Sequence, residues 1–294
     1  MARLADRLPE NAPGELFVDS SCIDCDLCRQ LAPGIFARSD SGDRSFVSRQ
    51  PQTDDERLRA AMALVACPTT SIGGARKADV DAAVRSFPEP LGSDVWFCGF
   101  ASADSYGASS YLVRRERGNV LVDSPRAAKP LLARLVELGG VRTMFLSHAD
   151  DVADHRVFRE RFGCDRVLHR ADVRSDTAGV ERQLEGGDPI RLDEDLLAIP
   201  VPGHTRGNTA LLYRDEVLFS GDHLWGSESD DRLSASRGVC WYSWREQTES
   251  MARLLEHRFE WVLPGHGRPY RARSARAMRA ELESLVARMR AHPS

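Results

Sequence analysis

Three cysteines follow one another at intervals of three residues near the start of this chain, and this feature limits the fold more than any other. The stretch "CIDCDLC" holds Cys22, Cys25 and Cys28, and "ACP" supplies a fourth cysteine at Cys67. A cubane iron–sulfur cluster needs three thiolates on one tight loop and a distant fourth. A structural zinc site is the alternative, but zinc ribbons usually take paired Cys-x2-Cys knuckles from two loops. The spacing therefore predicts a 4Fe-4S cluster bound by these four residues.

The residues around these cysteines carry a family resemblance. "FVDSSCIDCDLCRQLAPGIF", followed by "ALVACPTTSIG", resembles a single-cluster bacterial-type ferredoxin over residues 14–74. The resemblance implies a small α+β domain with a 4Fe-4S cluster and one-electron transfer. Some relatives with three irons have aspartate in place of the second cysteine, whereas this chain keeps Cys25. Four irons are therefore expected.

The composition is that of an ordinary soluble globular protein. The chain has 294 residues, 42% of them hydrophobic and 29% charged, with a formal net charge of -4. This balance argues against a nucleic-acid partner. No apolar run approaches the roughly 18 residues that a membrane span needs, and the N-terminal stretch lacks the apolar region of a secretory signal. We expect a cytoplasmic protein with no membrane partner.

Glycine, proline and charged residues dominate residues 73–94, as is typical of a linker or domain boundary. The predicted organisation is a ferredoxin-like domain at residues 1–78, a linker at residues 79–92 and a larger domain at residues 93–294. Strand and helix patterns alternate in the larger domain, which indicates an α/β fold with mixed sheets covered by helices. The predicted helices of the whole chain cover residues 54–65, 129–138, 157–162, 246–257 and 275–290.

Polar side chains with metal-binding capacity follow several of the predicted strands. "PVPGHTRGN" places His204 after a strand and a Pro-Gly turn, "LFSGDHL" places Asp222 at a strand end, and "WVLPGHGRP" places His266 in another strand-end loop. His148 ends the strand "VRTMFLS", and His155 follows it by seven residues. A sheet delivers such side chains to one edge, so together they are candidate metal ligands.

This series resembles the metallo-β-lactamase fold superfamily over residues 93–272. The resemblance implies an αβ/βα sandwich, preceded here by the small ferredoxin domain, with a two-metal site at the upper edge of two sheets. It also implies that His204 is a ligand of the first metal, that Asp222 bridges both metals, and that His266 is a ligand of the second.

The opening loop "SHADDVADH" departs from the superfamily motif H-x-H-x-D-H. Aligned from His148 without gaps, the chain has Asp150, Val152 and Ala153 where the motif has His, Asp and His. In a loop two residues longer, the Asp154-His155 pair takes the last two places, and Asp150 or Asp151 replaces the missing histidine. A third arrangement puts Asp151 and His155 on one face of a helix, at positions i and i+4. We take His148, Asp151, His155, His204, Asp222 and His266 as the predicted ligands, with Asp151 and Asp222 also as catalytic residues.

The resemblance implies a hydrolase of an ester, thioester or phosphoester, in which one or two divalent ions generate a metal-bound hydroxide. The alternative is an oxidoreductase in which the cluster delivers electrons to non-haem iron, since a carboxylate-rich site suits iron better than zinc. A third hypothesis is a carrier with a degenerate site. The expected partners are a small-molecule substrate and, for redox chemistry, a redox partner protein. The aromatic residues of "GVCWYSW", Trp241, Tyr242 and Trp244, are candidates to line the pocket.

Overall fold

The computed structural model of the chain describes residues 2–40 and 42–291. The helices are α1 (Leu27–Leu31), α2 (Asp54–Ala66), α3 (Lys77–Ser86), α4 (Lys129–Glu137), α5 (His155–Phe162), α6 (Trp244–Arg253) and α7 (Ala275–Ala291). Within these described ranges, no helix is both long enough and apolar enough to cross a membrane.

The strands divide into an N-terminal and a C-terminal series. The first series is β1 (Phe17–Val18), β2 (Phe36–Arg38), β3 (Ser45–Val47), β4 (Ile72–Gly73), β5 (Glu89–Gly92), β6 (Val95–Phe97), β7 (Tyr111–Val113) and β8 (Val120–Val122). The second series is β9 (Thr143–Phe145), β10 (Asp165–His169), β11 (Arg182–Leu184), β12 (Ile190–Asp193), β13 (Leu196–Pro200), β14 (Thr209–Tyr213), β15 (Val217–Gly221), β16 (Trp225–Gly226), β17 (Leu233–Ser234), β18 (Trp261–Pro264) and β19 (Tyr270–Arg271).

The chain forms two compact units. The first consists of Met1–Arg142 and Arg156–Gly163, and the second of Thr143–His155 and Cys164–Ser294. In the first unit β1 pairs with β4, and β2 pairs with β3. Strands β5, β6, β7 and β8 pair antiparallel in that order, as β5–β6, β6–β7 and β7–β8. Helix α2 begins with a capping box, in which Thr53 and Glu56 satisfy each other's backbone N–H groups.

Most of the predicted linker at residues 79–92 is regular structure. Most of α3 and all of β5 lie in this range. Val80, Ala83 and Phe87 recur at helical spacing, a period that the surrounding charged residues obscured. The buried Phe87 ring contacts Phe97 edge-on, with the centroids 5.8 Å apart. The predicted domain boundaries themselves stay a prediction.

The second unit contains a parallel set of strands and a six-stranded sheet. In the parallel set, β10 lies between β9 and β11. The larger sheet has the order β12-β13-β14-β15-β18-β19 and is antiparallel except where β15 meets β18. Apolar residues of this sheet, such as Leu212 and Val262, pack in one buried cluster with Met251 of α6 and Leu282 of α7. Burial of this sheet face and of the helix faces supplies the main hydrophobic stabilisation of the unit.

Several loops at strand ends are fastened to one another in the second unit. The backbone N–H of Thr209, at the start of β14, donates to the carbonyl of Ser147, at 2.8 Å. Gly265, just after β18, donates in the same way to Gly221 at the end of β15, at 2.9 Å. These backbone hydrogen bonds fix the loops that carry the candidate site.

Candidate metal centre

Four of the predicted ligands follow strands in the second unit, as the sequence patterns indicated. They are His148 after β9, His204 after β13, Asp222 after β15 and His266 after β18. The first three are buried, with exposed fractions of 0%, 2% and 8%. Buried polar side chains need partners, and a bound cation at this edge would serve as one.

The donor atoms of five residues form two overlapping groups. His148, Asp150 and His204 form one group of three donors within 4.8 Å of one another, and His148, Asp151 and Asp222 form a second. His204 Nε2 lies 3.5 Å from Asp150 Oδ2 and 3.6 Å from Asp222 Oδ2. The two groups share His148, whose Nε2 lies 3.9 Å from Asp151 Oδ2 and 3.8 Å from Asp222 Oδ2. Donors around an ion with bonds of about 2.0–2.2 Å lie about 3–3.6 Å apart, so these separations are close to those of a bound ion.

The ring nitrogens of the histidines are oriented by neighbours. His204 Nδ1 donates to the carbonyl of Val239 at 2.5 Å, and His148 Nδ1 lies 2.9 Å from Ser147 Oγ. His148 Nε2 is buried and has no hydrogen-bond partner among the described residues. In metal sites, a hydrogen bond at one ring nitrogen commonly orients the imidazole whose other nitrogen binds the metal. His148 Nε2 is thus available to a cation, and His204 Nε2 faces the carboxylates of Asp150 and Asp222, so the residues fit a divalent metal.

His266 lies outside both donor groups and contacts Asp222 instead. Its Nδ1 is 2.9 Å from Asp222 Oδ2, and its backbone N–H donates to Asp222 Oδ1 at 3.1 Å. In this arrangement His266 orients the carboxylate that the resemblance makes a bridging ligand.

The protonation states of the site suit a cation. Burial lowers the pKa of His148 to about 4. The hydrogen bond with His204 lowers the pKa of Asp150 to about 2. Burial would raise the pKa of Asp222, but its neighbours, His266 first, hold that pKa well below its usual range. Burial likewise works against a charged His204, whereas Asp150 and Asp222 raise its pKa above the usual value. At neutral pH the site therefore offers a neutral imidazole at His148 and ionised carboxylates.

The opening loop presents two carboxylates to the site. Asp150 is also paired with Arg174, at 2.9 Å, while Asp151 is buried with its Oδ2 3.9 Å from His148 Nε2. Asp154 belongs to neither donor group. Helix α5 begins at His155, so Asp151 precedes it and the two residues do not share a helical face.

His155, a predicted ligand, lies outside both donor groups. It is buried, and its Nδ1 is 3.0 Å from a guanidinium nitrogen of Arg166. Arginine is only a donor, so Nδ1 is the acceptor and the proton of the neutral ring is on Nε2. This contact orients the His155 ring, and the role of His155 as a metal ligand stays a prediction. Arg166 is held in turn by Glu181, at 3.0 Å.

Two residues that the motifs did not indicate support the site. Asp172 accepts hydrogen bonds from Ala149 N–H at 3.0 Å, Thr205 Oγ1 at 2.5 Å and Gly207 N–H at 2.6 Å, and thereby joins the loops that carry His148 and His204. At Gly265, a Cβ atom would lie 2.6 Å from Asp151 Oδ2 and 2.9 Å from Asp222 Oδ1.

The four cysteines of the N-terminal region line one cavity in the first unit, together with apolar residues that include Val18, Ile23 and Ile72. Backbone N–H groups of Ser45 and Ser71 point at the sulfur atoms of Cys22 and Cys67, at 3.4 and 3.3 Å. Such N–H groups stabilise thiolates bound to iron. The cavity and its donors fit a 4Fe-4S cluster.

The thiols of this cavity are deeply buried. Burial raises the pKa of Cys28 to about 12 and also raises the pKa of Cys25. Gly107, with φ of +88°, comes so close that a Cβ atom there would lie 2.6 Å from Cys25 Cβ. Buried thiols are protonated unless a metal takes the place of the proton, so iron binding and thiol ionisation are coupled.

Comparisons with known proteins match these two regions. Residues 18–74 match the family model described as the 4Fe-4S single cluster domain of Ferredoxin I. A hydroxyacylglutathione hydrolase of Cereibacter sphaeroides is 32% identical over 131 residues, which are 43% of this chain and 51% of that protein. The chain thus spans about half the length of this curated relative.

Two solved structures show the fold of the remaining chain. A metallo-β-lactamase from Hirschia baltica has a TM-score of 0.51 at 19% identity, covering 68% of this chain and 95% of that one. The DIM-1 metallo-β-lactamase exposed to ceftazidime also has a TM-score of 0.51, at 16% identity, with 67% and 95% covered. These matches confirm the predicted mixed α/β fold class. The chain therefore joins a ferredoxin-type 4Fe-4S domain to a domain with the metallo-β-lactamase fold.

Proposed function

We propose that the chain is a metal-dependent hydrolase of carboxylic thioesters, within the wider class of ester, thioester and phosphoester hydrolases. One observation carries the proposal: His148 belongs to two groups of closely spaced donors, one with Asp150 and His204 and the other with Asp151 and Asp222. The partial similarity to a hydroxyacylglutathione hydrolase supports a thioester, since that protein's name describes an acyl derivative of a thiol. A small-molecule substrate follows from this proposal.

The side chains have separate tasks in this reaction. His148, His204 and Asp222 would hold the ion, with Asp150 or Asp151. The ion supplies positive charge that polarises the scissile carbonyl and lowers the pKa of the attacking water. In the balanced reaction, water oxygen bonds to the carbonyl carbon, the carbon–sulfur bond breaks, and the thiol leaves with a proton. Asp151, whose Oδ2 lies 3.9 Å from His148 Nε2, would accept the proton of the water.

Two further residues orient the carboxylates. His266 contacts both oxygens of Asp222, at 3.0 and 2.9 Å, and fixes the plane of that carboxylate. Arg174 is paired with Asp150 and offsets part of the negative charge at the site. Excess negative charge disfavours anionic substrates, so this pair also bears on which substrates the site accepts.

The second candidate function is an oxidoreductase, favoured by the cysteine cavity of the first unit and by the carboxylate content of the site. Three aspartates and two histidines form a harder ligand set than three histidines, and such a set suits iron better than zinc. In this alternative a redox partner protein reduces the cluster.

The test combines metal analysis with turnover. Iron and zinc are counted in the wild-type protein and in Cys25→Ser, and thioester hydrolysis is followed without reductant. The hydrolase proposal expects hydrolysis by both proteins and a loss of at least about 100-fold in His204→Ala. More than four irons per wild-type chain, with little zinc and no hydrolysis until reductant is added, would instead support the oxidoreductase.

A further inference from the structure

An exposed apolar segment lies beside the metal centre. The described residues include seven exposed large hydrophobic side chains, and three of them fall within four consecutive positions: Val239, Trp241 and Tyr242, exposed by 39%, 67% and 44%. We name residues 239–242 the rim segment. Single exposed hydrophobic residues are common, whereas a contiguous exposed patch marks a binding surface.

The rim segment is fastened directly to His204. The carbonyl of Val239 accepts the hydrogen bond of His204 Nδ1, and the backbone N–H groups of Trp241 and Tyr242 both donate to the carbonyl of His204 at 3.0 Å. Cys240 Sγ donates to the carbonyl of Gly203 at 3.1 Å. Polar backbone and thiol groups therefore hold the segment in place, and its exposed aromatic rings are not needed for that purpose.

The rings stand next to the candidate ligand. The Trp241 ring centroid is 6.1 Å from that of His204, with the planes inclined at 59°. The Tyr242 hydroxyl donates to Glu246 at 3.1 Å, which fixes the direction of its ring. Trp244, two residues later, packs instead against the hydrophobic core of the unit. The chain thus partly buries one aromatic residue of this stretch and leaves two exposed beside the candidate ligand His204.

We propose that the rim segment is the platform on which the apolar acyl chain of the substrate lies, next to the scissile carbonyl. This inference rests on the proposed hydrolase function and narrows its substrate to thioesters of apolar acids. When the scissile carbonyl lies at the metal position, the acyl chain bonded to its carbon must extend past one of the ligands. On the side of His204, the surface it meets is Trp241, with Val239 and Tyr242 beside it. Covering these side chains removes apolar surface of both partners from water.

Binding without turnover is the first test. Calorimetry measures the dissociation constants of S-ethyl, S-butyl and S-hexyl thioethers of N-acetylcysteamine, which lack the scissile carbonyl, on the metal-loaded full-length protein. We expect the dissociation constant to fall about two-fold for each added methylene group. This change corresponds to about half the free energy gained when a methylene group is fully buried. Trp241→Ala should abolish this dependence on chain length. Leu4→Ala, which removes a side chain that is 68% exposed in the first unit, should retain it.

Turnover is the second test, with acetyl, butyryl and hexanoyl thioesters of the same thiol. In the wild type kcat/KM should rise with acyl length, and in Trp241→Ala this rise should disappear through KM. Chain-length dependence that is equal in Trp241→Ala and the wild type overturns the platform. A change of oligomeric state in Trp241→Ala overturns it as well, because the rim segment is then an interface between copies of the chain. Trp241-dependent binding without any hydrolysis supports the platform and overturns the hydrolase.

Discussion

Asp172 shows how one side chain can position two ligands. Its carboxylate is buried and accepts hydrogen bonds from Ala149, which follows His148, and from Thr205 and Gly207, which lie one and three positions after His204. A buried carboxylate with three donors holds those donors in one geometry, whereas its loss leaves buried N–H and O–H groups without partners. The distance between the two loops that carry the candidate ligands therefore depends on this residue.

Replacing Asp172 by alanine should lower the free energy of unfolding by about 2–4 kcal/mol, because three buried donors lose their acceptor. It should also weaken binding of the catalytic metal about 10–100-fold. Asp172→Asn keeps one oxygen acceptor and should restore part of both losses. Denaturant unfolding and competition with a metal chelator measure the two effects, with the exposed Asp188→Ala as the control. Unchanged metal affinity in Asp172→Ala would show that the loops hold their positions without it.

The sequence indicated the ligands that end strands, because an apolar run followed by a histidine or aspartate can be seen locally. His204 and Asp222 are of this kind. Asp172 could not be predicted in the same way, because its partners Thr205 and Gly207 lie 33 and 35 positions away along the chain. The sequence could not decide whether Asp150 or Asp151 approaches His148, because the course of the loop depends on where α5 begins.

At the scale of elements, the end of β18 decides how closely two carboxylates can approach. Gly265 follows this strand and donates to the end of β15, and its missing side chain leaves room for Asp151 and Asp222. A methyl group at this position would meet both carboxylates at less than normal contact distance. The close packing of the two strand ends is thus a condition for the site.

We expect Gly265→Ala to displace these carboxylates and to reduce binding of the catalytic metal at least about ten-fold, with a modest loss of stability of about 1–3 kcal/mol. Gly187→Ala is the matched control, since a Cβ atom there would have its nearest neighbour, Arg253, at 3.8 Å. Metal content after dialysis and thermal unfolding are the measurements. Equal metal content in the two variants would contradict this account of the strand ends.

Elements with long apolar patterns could be predicted, and short ones could not. Helices α2, α4 and α7 lie within one residue of their expected ends, because their apolar period extends over two or more turns. Helix α3 was missed because charged residues hide its apolar positions. Strands β5, β6 and β7 have only three or four residues each, and such short runs have no period to detect.

At the scale of the whole molecule, the first compact unit combines the cysteine region with strands that follow it. Gly107 lies against Cys25, although 82 positions separate them in the chain, and no larger residue fits there with φ of +88°. Gly107→Ala should therefore reduce the iron bound per chain by at least half, since either the loop or the cysteine must move. Gly34→Ala, where the nearest atom is 3.4 Å away on a flexible arginine, should keep its iron. Iron analysis of both variants tests this, and full iron content in Gly107→Ala would contradict it.

The C-terminal end of α2 also accepts hydrogen bonds from residues that follow the cysteine region in the chain. The carbonyl of Ala66 accepts a hydrogen bond from Ala101 N–H, and that of Val65 accepts one from Arg126, both at 3.2 Å. Cys67 comes directly after these carbonyls. A ligand that binds only the folded state stabilises everything that unfolds together with its site. A 4Fe-4S cluster bound here would therefore also stabilise strands that hold none of its ligands, and an oxidant that removes iron would shift the folding equilibrium of those strands.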